Sequence, residues 1–182
     1  VTSGMSWTGG TISGTGTLTT NSGVTTTLGS SSVDLFLSNG TWDNYGTVNF
    51  VSGANWDFYI NSSGVFNNKS GANFNLNNTN AGSIIRTSSG SGTFNNAGTV
   101  TQSNTTDSNI QLSSFNNTGT VNVTSNTLTF ATGGTDTGNY AVSSGATLAF
   151  SGGTRTLNGV SITGSGTANL TSGTISASGA VS

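Results

Sequence analysis

One nine-residue phrase recurs along this chain, and it limits the possible folds more than any other feature. Gly92-Thr93-Phe94-Asn95-Asn96-Ala97-Gly98-Thr99-Val100 reappears as Gly40-Thr41-Trp42-Asp43-Asn44-Tyr45-Gly46-Thr47-Val48, with Trp in place of Phe. Gly64-Val65-Phe66-Asn67-Asn68 opens a third copy, with one extra residue before its next Gly, and Ser114-Phe115-Asn116-Asn117-Thr118-Gly119-Thr120-Val121 is a fourth. The aromatics are separated by 24 residues (42 to 66), 28 (66 to 94) and 21 (94 to 115), and the second Asn of each copy keeps the same steps. A repeat of this length is one turn of a solenoid, because a single unit cannot bury its apolar face without stacking on its neighbours.

The composition selects strands for those turns. The 182 residues include 28 Gly and many Ser, Thr and Asn, which are poor in helix interiors, mixed with Val, Ile, Phe, Trp and Tyr, which suit strands. Short alternating stretches precede the Asn-Asn copies: Val33-Asp34-Leu35-Phe36-Leu37, Trp56-Asp57-Phe58-Tyr59-Ile60, Ile84-Ile85-Arg86 and Asn109-Ile110-Gln111-Leu112. Alternation puts Val33, Leu35 and Leu37 on one face. After residue 124 the wording changes but the strand-and-turn rhythm persists, as in Thr127-Leu128-Thr129-Phe130 and Gly145-Ala146-Thr147-Leu148-Ala149-Phe150. One coil therefore reads as a strand, a tight turn, a Phe-Asn-Asn corner, a second strand and a loop of variable length.

The expected fold is an all-β, single-stranded parallel β-helix formed by residues 1–182 as a single solenoid domain. At about 22 residues per coil and about 4.8 Å per coil, it has roughly eight coils and is a rod on the order of 40 Å long. Inward residues then form columns. Trp42, Phe66, Phe94 and Phe115 are expected in one, and Asn44, Asn68, Asn96 and Asn117 in a second at the corner. There Asn tolerates a left-handed backbone, and its amide can bond to the amides above and below.

The phrases Phe-Asn-Asn-x-Gly-Thr-Val and Gly-Ala-Thr-Leu-Ala-Phe-x-Gly-Gly-Thr-x-Thr-Leu-Asn resemble the Asn/Gly/Thr-rich β-helix repeats of large secreted bacterial surface proteins. These include adhesins similar to filamentous haemagglutinin and autotransporter passengers. The resemblance spans roughly residues 7–178. It implies an exported, extracellular or cell-surface protein of bacterial origin, used as a shaft, stalk, fibre or adhesive module, and it brings no catalytic residues with it.

Charge excludes several other functions. Lys69, Arg86 and Arg155 are the only basic residues, too few for the several phosphate contacts of a duplex-binding surface, and no apolar run is long enough for a membrane-spanning helix. Cysteine is absent, so there is neither a disulfide framework nor a thiolate metal site. No signal peptide is visible at Val1, and the chain reads as a mature product or an excised segment. The acids are Asp34, Asp43, Asp57, Asp107 and Asp136, with no Glu and no His, so a polysaccharide lyase or hydrolase lacks its usual cluster. The chain is read as a non-enzyme with no cofactor.

Asp34 and Asp57 stand at equivalent positions 23 residues apart (34 to 57). If the coils are in register, they are outer-face neighbours flanked by Phe36 and Tyr59. Two adjacent carboxylates raise one another's pKa or recruit a hard cation such as calcium, and aromatic rings beside acids suit extracellular glycans. This strip is the candidate binding site, and a carbohydrate- or surface-binding adhesin module is the alternative function. Thr-x-Thr triplets such as Thr15-Gly16-Thr17, Thr25-Thr26-Thr27, Thr127-Leu128-Thr129 and Thr154-Arg155-Thr156 raise ice binding. They do not recur once per coil at one corner phase, so Thr is read as an ordinary outward strand residue. Finally, Ser161-Ile162-Thr163-Gly164-Ser165-Gly166-Thr167-Ala168 matches Thr11-Ile12-Ser13-Gly14-Thr15-Gly16-Thr17-Leu18, 150 residues earlier (12 to 162). Neither end looks capped. The expected partner is therefore the protein itself, through neighbouring repeats of one chain or copies stacked head to tail.

Overall fold

A computed structural model describes residues 1–29, 33–51, 56–77 and 83–182. Its strands form three parallel sheets of eight, and strands neighbouring in a sheet are always one coil apart along the chain. A representative coil runs Thr99–Gln102 in the first sheet, Ser108–Gln111 in the second and Ser114–Asn117 in the third. The architecture is a parallel β-solenoid, with eight strands per sheet and so seven steps along the axis. Residues 30–32, 52–55 and 78–82 lie outside the described residues.

The structure corrects the expected shape of a coil. Each has three strands rather than two and a loop, and Phe-Asn-Asn is a strand rather than a corner: Gly64–Asn68 and Gly92–Asn96 pair residue for residue. Strand alternation explains the wording. The aromatic points in, the first Asn points out, and the second Asn points in where the strand meets the turn. The non-Gly residues of positive φ are Asn39, Ser62, Ser63 and Asn126 among the described residues, so the repeated Asn is not chosen for a left-handed backbone. Val33 also departs from its expected face: it lies before its strand and is exposed, while Leu35 and Leu37 are buried.

Trp42, Phe66, Phe94 and Phe115 are fully buried in one column, with ring centroids 5.0, 4.7 and 5.1 Å apart at successive steps. Each such pair adds about 0.5–1.5 kcal/mol beyond its area burial. The second-sheet column Leu35, Phe58, Ile85, Ile110, Phe130 and Phe150 fills the opposite wall.

Asn44, Asn68, Asn96 and Asn117 form the inner ladder. Asn44 Nδ2 donates to Asn68 Oδ1, Asn68 Nδ2 to Asn96 Oδ1, and Asn96 Nδ2 to Asn117 Oδ1, at 2.9, 2.9 and 2.8 Å. Each amide also satisfies the main chain around the turn. Gly46 N donates to Asn44 Oδ1, and Asn96 Nδ2 reaches Thr120 O in the coil beyond. A buried amide saturated in this way avoids the cost of unpaired polar groups inside the rod.

A second ladder lies outside it. Asn116 Nδ2 donates to Asn95 Oδ1, Asn95 Nδ2 to Asn67 Oδ1, and Asn67 Nδ2 to Asp43 Oδ1. Its donors point toward the N-terminal end, opposite to the inner ladder. Asp43 sets that direction, because a carboxylate can only accept.

Coil length varies around these ladders. The steps from Thr20 through Asn44, Asn68, Asn96 and Asn117 to Asp136 are 24, 24, 28, 21 and 19 residues, so the shortest coil lies below the expected range. A column of glycines keeps the third-to-first-sheet corner tight. A Cβ at Gly119 would lie 2.1 Å from Gly98 O, and one at Gly98 would lie 2.3 Å from Ala72 O.

The uneven lengths also separate the two matching end phrases. Ile12 belongs to the second sheet and Ile162 to the first, so the matching phrases occupy different corners of the coil.

Candidate functional site on the second sheet

Register places Thr11, Phe36, Tyr59, Arg86 and Gln111 in one outward column of the second sheet. Phe36 and Tyr59 stack with centroids 4.8 Å apart and planes 14° from parallel, and the Arg86 guanidinium carbon lies 5.3 Å from the centre of the Tyr59 ring. The expected neighbours Asp34, Phe36, Asp57 and Tyr59 are therefore brought together, with one partner that sequence reasoning missed. Arg86 sits directly one coil beyond Tyr59, and only the strand register reveals it.

Arg86 changes the chemistry of the strip. Its Nη1 lies 3.0 Å from Asp57 Oδ2, and Tyr59 Oη donates to that same oxygen at 3.4 Å. Asp34 Oδ1 accepts the Asp57 backbone N–H at 2.9 Å. Asp57 is consequently not the surface acid that was expected: it is only 7% exposed, while Asp34 is half-buried. Burial pushes the Asp57 carboxyl above its ordinary range. The Arg86 charge opposes that rise and the Asp34 charge adds to it. Burial, and then the Asp57 charge, also raise the Tyr59 phenol.

This arrangement reads as a closed ladder rather than an open cleft. A sugar platform needs a free ring face, but Phe36 covers one face of Tyr59 and Arg86 the other. Arg86 pairs with Asp57 and a backbone N–H engages Asp34 Oδ1, so the two acids are not the bare carboxylate pair expected for a hard cation. Among the described residues no group of three or more His, Cys, Asp or Glu side chains converges on a metal position.

The other acids are used in the same way. Asp43 pairs with Lys69 at 3.1 Å, Asp136 pairs with Arg155 at 2.7 Å, and Asp107 Oδ1 accepts the Thr127 N–H at 2.8 Å. All five carboxylates thus hold coils together, and each of the three cations is matched to one of them. No family model, curated protein or solved structure matches the chain.

Proposed function

We propose that this chain is a structural shaft: a β-solenoid segment of a stalk or fibre belonging to a bacterial extracellular surface protein. The observation that carries the reading is the pair of opposed amide ladders running coil to coil beside the aromatic column. Their side chains are spent on axial cohesion, as a load-bearing rod requires. The use of all five carboxylates as internal ties supports a non-enzymatic role. The resemblance of the repeats to secreted surface proteins supports the location. No helix of the described structure is long and apolar enough to cross a membrane, which leaves strand-built membrane crossings untouched.

Both ends of the rod suit continuation. At one end Leu170 is 54% exposed, and Ile162 and Ile175 pack only partly against the core. At the other, Ile12, Leu18 and Leu37 line an open hollow of about 290 Å³. Further coils, supplied by the same chain or by another copy head to tail, would cover these columns and pair the open strand edges.

The test is hydrodynamic, with glycan binding as its counterpart. The purified chain should behave as a stiff rod whose sedimentation shows end-to-end association as concentration rises, and it should retain nothing on a glycan array. A strictly monomeric particle that captures a specific glycan would overturn the shaft reading in favour of the adhesin module.

A further inference from the structure

The outward face of the first sheet is chemically unlike the other two. One column reads Thr25, Thr47, Asn73, Thr99, Thr120 and Asn139, each residue paired with the next along adjacent strands. The column two residues further along each strand reads Thr27, Asn49, Asn75, Thr101 and Asn122 before Ala141 ends it. Thr99-Val100-Thr101 and Thr25-Thr26-Thr27 therefore share one phase, which sequence spacing concealed because the coils between them differ in length. None of the eight charged side chains falls in a first-sheet strand, and the aromatics of that sheet, Trp7, Phe50, Phe74 and Tyr140, are all buried. The second sheet by contrast carries Arg86 and its ring stack, and the third carries Asp43.

We infer that this face binds crystalline water, giving the chain an ice-binding surface independent of its role as a shaft. Ice presents rows of hydrogen-bonding oxygens at fixed spacing, and a protein face matches them only if its own groups repeat along two axes. Here the repeat is about 4.8 Å from coil to coil and about 6.6 Å between alternate residues of a strand, close to the oxygen rows on the prism face of ice. Thr suits the task because its β-branch restricts χ1, so methyl and hydroxyl recur in one orientation. Amide bonding fixes Asn in the same way: Asn75 Nδ2 donates to Asn49 Oδ1 at 2.9 Å across adjacent coils. A charged group would hold its own hydration shell against the lattice, and this face has none. A crystalline polysaccharide is the less suitable occupant, because no aromatic ring projects from these strands to stack on a sugar.

The test uses the whole chain at temperatures just below freezing. The native protein should shape growing ice into facets and open a gap between melting and freezing points. Thr99→Lys, in the middle of the array, and Asn122→Lys, beside it, should each abolish that gap. Thr93→Lys, on the third sheet, should leave it intact, with circular dichroism confirming β structure in all four proteins. If Thr99→Lys fails to fold, Asn122→Lys decides the comparison. A folded native chain without any such gap overturns the inference. Equal loss in Thr93→Lys overturns it too, as does retention on microcrystalline cellulose or chitin with ice growth unaffected.

Discussion

Arg155 Nη2 sits 2.7 Å from both carboxylate oxygens of Asp136, and neither residue is exposed to solvent. The pair lies where both inner columns change character. In the aromatic column the residue after Phe115 is Gly134, where a Cβ would come within 1.8 Å of Phe115 O. Phe130 of the same coil packs on Phe115 there, and the guanidinium of the following coil lies 4.9 Å from the Phe130 ring centre and 5.5 Å from that of Phe150. In the Asn column Asp136 takes the next place and accepts the Asn117 N–H at 3.1 Å.

Removing one half of this pair strands the other charge inside the rod. Asp136→Asn or Arg155→Met should each cost about 3–5 kcal/mol, because an unpaired buried charge keeps its full desolvation penalty. The double variant should lose less than either single one. Urea unfolding of the four proteins at neutral pH completes the cycle, and simple additivity of the two losses would show that the pair is not coupled.

Tyr140 lies against the same ion pair, its Oη accepting from Arg155 Nη2 at 3.4 Å. Burial, chiefly, holds its phenol far above the ordinary range. The folded chain therefore keeps a proton that an unfolded tyrosine releases near pH 10. The resulting stability is fully present below about pH 10 and falls as pH rises beyond it. Urea midpoints measured upward from about pH 8 should show this decline, and Tyr140→Phe should flatten it. An unchanged slope in that variant would place the alkaline sensitivity elsewhere.

The two Asn ladders should respond differently to an acid. Asn96 Nδ2 faces two acceptors, Asn117 Oδ1 and Thr120 O, inside the core. In Asn96→Asp a buried carboxylate meets those oxygens, at about 3–5 kcal/mol near neutral pH. Asn95→Asp, on the half-buried outer ladder, still accepts from Asn116 and should cost only about 1 kcal/mol. Lowering the pH should recover part of the Asn96→Asp loss, because the raised carboxyl regains its proton and can donate. Equal midpoints for the two variants would count against the inner ladder as a cohesive element.

Asp57 offers a titration test of the second-sheet strip. Its raised carboxyl contributes stability below the ordinary aspartate range, and that contribution is lost as pH climbs through the folded value. Arg86→Gln removes the charge that opposes the rise, so Asp57 should titrate higher still. Carboxyl carbon NMR of the two proteins reads this directly. An Asp57 curve that does not move would uncouple the two residues.

Much of the architecture is written locally. Identical side chains recurring at one-coil intervals, Trp42 to Phe115 and Asn44 to Asn117, share an address in every turn, and like residues at like addresses must stack. The aromatic and amide columns were therefore legible from residue type and spacing alone. The three-sheet cross-section was not, because Phe-Asn-Asn looks like a turn by propensity, and only burial on both sides of the first Asn makes it a strand. Pairing between unlike residues was also hidden. Arg86 meets Asp57, Arg155 meets Asp136, and Thr99 aligns with Thr25 only after the intervening loops are counted. With steps between 28 and 19 residues, small differences in loop length accumulate and change the sheet on which a phrase lands. That is why Ile12 and Ile162, alike in sequence, stand on different faces. The repeat specifies what stacks, while the backbone hydrogen bonds of the closed coil decide which strangers become neighbours.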